Sequence, residues 1–344
     1  WGECTAMEGP WFSHETIETA WHLLRDILGP MVLGTDVSAP RGVMRRFAGV
    51  RGHPMARAAL GMAVWDLWAK AGGSRLADVL HDDARREAGD TDVAGSAGRV
   101  PDRVPVGISL GIEPSPSALV EEVARRVDEG YGRVKLKIKP GWDVDVVRAV
   151  RERWPELALQ VDANAAYAPS DAPTWQALDA FDLLLIEQPY HHDDIVDHAA
   201  LQASLDTPLC LDESIKSPDH ARWALELDAC RVINIKVGRV GGLAAAVDIH
   251  NLCREQGVPV WCGGMLETNV GRAANVAVAT LPGFTLPGDI SASSRYYRKD
   301  VAEPDFELEV DSTVRVPVES GLGVRVDRDR LAAVRKRHLT LCAD

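Results

Sequence analysis

The fold is indicated by a short run in which lysines alternate with apolar residues, Val134-Lys135-Leu136-Lys137-Ile138. Four similar apolar runs follow, and each leads to one polar residue, then to turn residues and a helical pattern. The five polar residues are Lys137, Asp162, Glu187, Asp212 and Lys236, at steps of 25, 25, 25 and 24 positions. This alternation is typical of a β/α repeat.

Eight strand candidates extend this repeat in both directions. They cover residues 104–110, 134–138, 157–162, 183–187, 209–212, 232–236, 258–262 and 284–287. Eight strands with helices between them predict an α/β protein with a closed (β/α)8-type barrel. In such a barrel the C-terminal strand ends meet at one mouth, so we expect the five polar residues to converge there.

The flanks of the barrel lack this alternation. Helical periodicity at 16–28 and 53–71 predicts a separate helical or mixed segment, and the small and charged residues at 82–103 predict an exposed linker. We therefore divide the chain into 1–103, a barrel at 104–290, and a tail at 291–344 that packs outside the barrel.

The overall composition excludes several classes of partner. Lysine and arginine number 38 against 51 acidic residues, a net charge of −13, which argues against nucleic acid or an anionic membrane as partner. No apolar run approaches a membrane span and no signal segment opens the sequence, so we expect a cytoplasmic protein. The six cysteines show no zinc or redox spacing, and we expect them to be reduced.

Three of the converging residues are carboxylates. Asp162, Glu187 and Asp212 offer hard oxygen ligands without a histidine, which suits Mg²⁺, or Mn²⁺ as its substitute. Each acid taken alone would more often be a helix cap or a loop charge. Their equal spacing on three successive strand ends favours a metal site.

The lysines suggest proton transfer. Lys135 and Lys137 are two positions apart, so they share one face of their strand and should point inward. Their mutual repulsion and a nearby metal should push the ammonium group toward the neutral amine, which can act as a general base. The alternative is that both are solvated surface charges.

Other polar residues near the strand ends have two interpretations each. Asn164 and Asn234 either donate hydrogen bonds into the cavity or cap their strands, and Glu213 either steers the lysines or begins a helix. The turn at 238–242, which contains Arg239, is an anion site or simply a tight turn. The turn at 263–267 has two interpretations as well: it binds part of the substrate, or it is only a tight turn.

One further motif resembles a metal tract. His191-His192-Asp193-Asp194 follows the fourth strand candidate, and its acidic flanks favour a solvated loop.

The metal and the lysines together suggest one type of reaction. A metal ion that holds a substrate carboxylate, with a base on either face of the α-carbon, can remove a weakly acidic proton and stabilise an enediolate. Two alternatives lie outside this chemistry. A Schiff-base aldolase would use Lys137 or Lys236 as nucleophile and need no carboxylates, and a non-catalytic binding protein would keep only the metal affinity.

Several motifs resemble those of the enolase superfamily, in its muconate-cycloisomerase-like branch. They are Lys135-Leu136-Lys137-Ile138-Lys139-Pro140-Gly141-Trp142-Asp143, Gln160-Val161-Asp162-Ala163-Asn164, Ile186-Glu187-Gln188-Pro189, Cys210-Leu211-Asp212-Glu213-Ser214, Asn234-Ile235-Lys236 and Trp261-Cys262-Gly263-Gly264-Met265. As a set they are highly specific. The nearest likeness is to o-succinylbenzoate synthases and N-acylamino acid racemases, and it extends from Trp1 to beyond Leu286.

The resemblance implies a role for each matching residue. Lys137 and Lys236 would be the acid/base pair, and Asp162, Glu187 and Asp212 would hold Mg²⁺. The substrate would be bound by Lys135, Ser109, Asn164, Arg239, Gly264, Met265 and Leu266. Glu213 and Asn234 would contact and orient these site residues without touching the substrate.

The resemblance also implies an activity and a cap. The activity is dehydration of a cyclohexadiene carboxylate to o-succinylbenzoate in menaquinone synthesis, with racemisation of N-acylamino acids as a further or main activity. A muconate-type cycloisomerase and a dipeptide epimerase stay open, although Asp289-Ile290-Ser291 lacks the Asp-x-Asp pair of the epimerases. Family members are lyases or isomerases that act on small carboxylates and are usually homo-oligomers.

Family members also begin with strands of an α+β capping domain, whereas this sequence begins with Trp1-Gly2-Glu3-Cys4, which resembles the end of that sheet. We therefore expect residues 1–103 to form a partial cap without its first strands, completed by the tail at 291–344.

Overall fold

The structure is a computed structural model that describes residues 1–37, 39–90 and 99–343. Its α-helices are Ile17–Leu23 (α1), Gly29–Val32 (α2), Pro40–Arg46 (α3), Pro54–Ala71 (α4), Leu76–Glu87 (α5), Pro116–Asp128 (α6), Val144–Arg153 (α7), Ala172–Asp179 (α8), Val196–Gln202 (α9), Pro218–Glu226 (α10), Val237–Val240 (α11), Leu243–Glu255 (α12), Asn269–Ala279 (α13) and Arg328–Val334 (α14). A π-helical turn covers Leu24–Leu28, and 3₁₀ turns cover Phe47–Gly49, Pro169–Asp171 and Ser293–Arg295.

The strands form one large sheet and two small ones. They are Arg103–Pro105 (β1), Ile108–Leu110 (β2), Arg133–Lys137 (β3), Ala158–Asp162 (β4), Ile186–Glu187 (β5), Leu209–Leu211 (β6), Val232–Ile235 (β7), Val260–Cys262 (β8), Ala302–Glu303 (β9), Thr313–Arg315 (β10) and Arg325–Val326 (β11). Strands β2 to β8 pair in parallel in chain order, which confirms the predicted α/β barrel-type sheet.

The eighth barrel position is taken by an irregular segment rather than by the predicted strand at 284–287. The Val260 N–H donates to Gly283 O at 3.1 Å, the Gly288 N–H donates to Pro105 O at 3.0 Å, and the Gly107 N–H donates to Gly288 O at 2.8 Å. These bonds join the segment to both neighbours and close the barrel. Pro287 has no N–H to donate, which is one reason why no regular ladder forms.

The first predicted strand, at 104–110, is divided in the structure. β1 pairs antiparallel with β10, and β2 then pairs in parallel with β3. The change of partner occurs around Gly107, where a Cβ atom would lie 2.3 Å from Nε of Arg133. Only glycine leaves room for that buried side chain.

The barrel helices pack one apolar face onto the sheet. α6 is typical: the Ser115 side chain caps its first turn by accepting from the Ala118 N–H at 3.2 Å, and Leu119 and Val123 are buried. The strands are buried on both faces, as parallel barrel strands usually are.

The N-terminal helices form a second core around Leu28 and Phe47. The predicted linker at 82–103 is wrong for its first residues, because 82–87 belong to α5, where Leu76, Leu80 and Ala84 form a buried stripe. Residues 91–98 of that prediction lie outside the described residues.

The tail packs outside the barrel and contacts the N-terminal helices. The Leu76 N–H donates to Gly321 O at 2.8 Å, and the Leu322 N–H donates to the Asp66 carboxylate at 2.9 Å. The domain boundaries at 103 and 290 stay a prediction. All six cysteines are free thiols, and no helix in the described part of the chain is long and apolar enough to cross a membrane.

Candidate active site at the barrel mouth

The five evenly spaced residues converge at one end of the barrel. Lys137 lies opposite Asp162, and Asp162 lies opposite Glu187, at the ends of β3, β4 and β5. Asp212 and Lys236 are the first residues after β6 and β7. Lys137 Nζ is 2.6 Å from an Asp162 oxygen, and Lys236 Nζ is 2.7 Å from an Asp212 oxygen.

Lys135 lies beneath them and is only 2% exposed. Its Nζ is 2.9 Å from Glu187, 3.1 Å from Asp162 and 2.6 Å from Asp289. Burial opposes the charged form, but these carboxylates outweigh it and raise the pKa of Lys135 well above its usual value. The expectation that repulsion from Lys137 lowers the pKa is therefore wrong for Lys135.

The pKa values of the surrounding carboxyl groups shift in opposite directions. Burial acts to raise the pKa of Asp162, but Lys137 and Lys135 outweigh it, so the pKa falls below its usual value. Burial and the charge of Asp162 raise the pKa of Glu187. Burial is also outweighed at Asp289, whose pKa is lowered by Lys135 and Arg133.

The two candidate bases differ in exposure. The Lys137 side chain is 32% exposed and that of Lys236 is 9% exposed. The Lys137 ammonium also donates to the side-chain oxygen of Asn164 at 2.5 Å, and Asn164 in turn donates to Glu213 at 2.9 Å. Asn164 adopts a left-handed backbone with a φ of 42°.

Glu213 lies in the loop after β6, five residues before α10 begins at Pro218, so its alternative role as a helix-start acid is wrong. Burial and Asp162 raise its pKa. Asn234 donates to Glu187 at 2.7 Å from the side of β7. Both asparagines therefore contact the charged residues of the mouth directly.

Arg239 is 4% exposed and turned toward the barrel wall. It pairs with Asp212 and donates to the carbonyl oxygens of Ile215, at 2.8 Å, and Asn234. These contacts hold Asp212 in position from the side of the barrel wall. The guanidinium is therefore engaged before any substrate arrives.

The remaining predicted substrate residues lie on β2 and in the loop after β8. Ser109 is half-buried and paired in register with Lys135. A Cβ at Gly264 would lie 2.2 Å from Asp289 O, so only glycine fits there. Met265 is buried, whereas the Leu266 side chain is 59% exposed.

Sequence reasoning missed Gln188 as a site residue, although it follows Glu187 directly. Its side-chain oxygen accepts from the N–H groups of Asp212, at 3.0 Å, and Ser214, at 3.2 Å. Its amide nitrogen donates to the Ser214 hydroxyl at 2.8 Å. Gln188 thereby ties the end of β5 to the loop that carries Asp212.

Arg133 and Asp289 were missed as well. Arg133 is fully buried and donates to Asp289 at 2.8 Å. The position of Asp289 just beyond the eighth strand candidate was the available signal.

The donor set fits a divalent cation of the magnesium type. Asp162, Glu187 and Asp212 are buried carboxylates on adjacent strands. In the structure each one is turned toward a lysine, and among the described residues only His191, His192 and Asp193 bring three donor atoms within 4.8 Å of one another. Those three lie on a largely exposed turn, in keeping with the predicted solvated loop, and His192 also lines the cavity above the mouth.

A cavity of about 500 Å³ opens above the mouth. Its barrel wall includes Glu213, Lys216 and Arg239, and its other wall comes from the N-terminal segment, including Phe12 and Arg57. Lys236 Nζ is 4.6 Å from the centre of the Phe12 ring. The N-terminal segment therefore covers the charged residues at the mouth.

Two family models match the chain. The model described as enolase C-terminal domain-like matches residues 118–330, and the model of the mandelate racemase and muconate lactonizing enzyme N-terminal domain matches residues 1–80.

Individual relatives align with nearly the whole chain. An o-succinylbenzoate synthase from Geobacillus stearothermophilus is 49% identical over 95% of this chain and 83% of its own length. An N-succinylamino acid racemase from Amycolatopsis sp is 47% identical over 94% of this chain and 83% of its own length. A solved structure of an enolase superfamily member from Enterococcus faecalis is 41% identical, with a TM-score of 0.87 over 96% of this chain and 85% of that one.

Proposed function

Because this chain belongs to the enolase superfamily, we propose that it is an o-succinylbenzoate synthase. The reaction is dehydration of the hydroxycyclohexadiene carboxylate precursor to o-succinylbenzoate, a step of menaquinone synthesis. The proposal is supported by relatives of that name at 49% and 45% identity. We further propose a cytoplasmic homo-oligomer.

One observation carries the proposal. Two ammonium groups, Lys137 Nζ and Lys236 Nζ, contact different carboxylates of one acidic cluster, from strand ends separated by β4, β5 and β6. A substrate carbon held over that cluster would have one amine on each side. A pair of amines placed in this way can remove a proton from the substrate carbon and return one to it.

Asp162, Glu187 and Asp212 would hold Mg²⁺, with Mn²⁺ as the substitute. The bound ion would supply positive charge beside the substrate carboxylate and so make the neighbouring C–H more acidic.

The roles of the lysines follow from their surroundings. Lys137, the more exposed of the two, would take the α-proton and return it to the departing hydroxyl group on the same face. Lys236, enclosed by Asp212 and Phe12, would stay a cation and stabilise the negative charge that develops on the substrate. Lys135 would hold Asp162 and Glu187 in place and offset their mutual repulsion.

The assay follows the absorbance of the hydroxycyclohexadiene precursor with Mg²⁺ and then with excess chelator. We expect rapid loss of absorbance that the chelator abolishes and added Mg²⁺ restores. Conversion that continues in excess chelator would contradict a metal-dependent dehydratase, and no conversion would contradict the synthase assignment.

Racemisation of N-succinylamino acids is the second candidate, because a relative of that name is 47% identical and the lysines come from the ends of strands four places apart in the barrel. Each lysine would then serve one enantiomer. We expect Lys236→Ala to block deuterium exchange from one enantiomer far more than from the other. Equal loss for both enantiomers would contradict a two-base racemase.

A further inference from the structure

The cations at the mouth are already engaged by acids. Lys135, Lys137, Lys236 and Arg239 each contact at least one of Asp162, Glu187 and Asp212. Lys216, on the cavity wall, is paired with Asp193. An anionic group that enters the outer cavity therefore finds most positive charges compensated.

Arg57 is different. It is half-buried in the first turns of α4 and lines the cavity. In the described part of the chain its guanidinium forms no ion pair, and its buried Nε has no hydrogen-bond partner. Burial lowers the pKa of Arg57, and only the charge of Glu15 acts in the other direction.

Glu15 forms no ion pair with Arg57 in the described part of the chain. Its two oxygens accept the N–H groups of Met55, at 2.7 Å, and Ala56, at 2.8 Å, at the start of α4. The guanidinium of Arg57 instead rests against the loop after β7, where a Cβ at Gly241 would lie 3.4 Å from its terminal nitrogen. A desolvated cation without an anion favours binding of one, and the guanidinium fork matches a carboxylate.

We propose that Arg57 binds the second carboxylate of the substrate and makes the site selective for dicarboxylates. This inference rests on the proposed function. The o-succinylbenzoate precursor and the N-succinylamino acids share this chemistry: one carboxylate lies next to the reacting carbon, and a second ends a succinyl chain. The first belongs at the acidic cluster, and the second would reach the outer cavity and Arg57.

The test compares N-succinyl-L-phenylalanine with N-acetyl-L-phenylalanine, which lacks the second carboxylate. Deuterium exchange at the α-carbon is followed by NMR with Mg²⁺ present, for wild type, Arg57→Met and Arg57→Lys. We expect Arg57→Met to lower kcat/KM about 10- to 100-fold more for the succinyl than for the acetyl compound, the size of one charge-assisted contact. Arg57→Lys should recover part of that preference.

The matched control is Lys216→Met, which removes a paired cation from the same cavity. It should change both substrates equally. The inference is overturned if Arg57→Met affects both substrates equally, or if Lys216→Met removes the preference instead. A thermal unfolding curve for Arg57→Met should match wild type, since no folded-state partner is lost.

Failure of the proposed function would show separately, because wild type would then not convert the hydroxycyclohexadiene precursor. A wild type that converts the precursor but exchanges neither compound lacks only the racemase activity. Calorimetric binding of the same two compounds to Mg²⁺-loaded wild type and Arg57→Met then decides the inference. Tighter binding of the succinyl compound that Arg57→Met abolishes supports it, and binding that is insensitive to Arg57 overturns it.

Discussion

Lys135 lies between Glu187, Asp162 and Asp289, and this arrangement shows how far single residues could be predicted. The alternation of side chains along a strand predicted that Lys135 points inward. The direction of its pKa shift was predicted wrongly, because Asp289 comes from a segment 154 positions away that forms no regular strand. Local spacing does not reveal such a partner.

At the residue scale, Asp289→Asn should destabilise the protein by about 3 to 5 kcal/mol, the usual cost of removing one partner from a buried ion pair. The substitution leaves Arg133 fully buried without its carboxylate. The free energy of unfolding is measured in urea at pH 7. Asp145→Asn, at a carboxylate that is 88% exposed, is the control and should stay within about 0.5 kcal/mol of wild type.

The same variant has a defined pH dependence. The pKa of Asp289 is lowered in the folded state, so its carboxylate contributes stability above the unfolded-state pKa of about 4 and loses it as the pH falls further. The stability difference between wild type and Asp289→Asn should therefore shrink below about pH 4. A difference that grows on acidification would contradict the ion pair.

At the scale of elements, helices were easier to predict than strand partners. The helical periodicity predicted a helix at 53–71, and the structure has Pro54–Ala71. The irregular eighth barrel segment was mistaken for a strand, because its apolar residues suit a strand while its backbone bonds depend on Pro105 and Gly107. Backbone pairing between distant segments leaves little local signal.

Gln188 supports the loop after β6, so we expect Gln188→Leu to destabilise the protein. The N–H groups of Asp212 and Ser214 are buried and would lose their acceptor, which predicts a loss of about 2 to 4 kcal/mol in the free energy of unfolding. Turnover should fall as well, because Asp212 would be less firmly placed. Gln176→Ala, at an exposed position of α8, is the control; equal effects in thermal unfolding would refute the bridging role.

At the scale of the whole molecule, the return of the tail to the N-terminal helices was predicted from a break in the repeat and from the family resemblance. The contacts that hold it there could not be predicted. The Leu322 N–H bonds to Asp66 across 256 positions, at a turn that requires Gly321 with a φ of 70°.

Gly321→Ala should therefore destabilise the docked tail. A Cβ there would lie 2.3 Å from an Asp66 oxygen, whereas Gly73 has a similar φ of 65° with no atom within 4 Å of its added Cβ. Backbone strain alone predicts about 1 to 2 kcal/mol for Gly73→Ala, and the clash adds about 1 to 3 kcal/mol for Gly321→Ala. Urea unfolding measures both; equal losses would mean that the close contact with Asp66 carries no cost.

The central claim is that the barrel mouth is a metal-assisted proton-transfer site with Lys137 as its base. The most direct measurement is turnover of the hydroxycyclohexadiene precursor by Lys137→Ala, together with calorimetric Mg²⁺ affinity of the same variant. We predict that turnover falls by at least about 100-fold, as expected for loss of a general base, while Mg²⁺ binds at least as tightly as in wild type, because Lys137 is not a ligand. Substantial residual turnover, or loss of Mg²⁺ binding in a folded variant, would contradict this account.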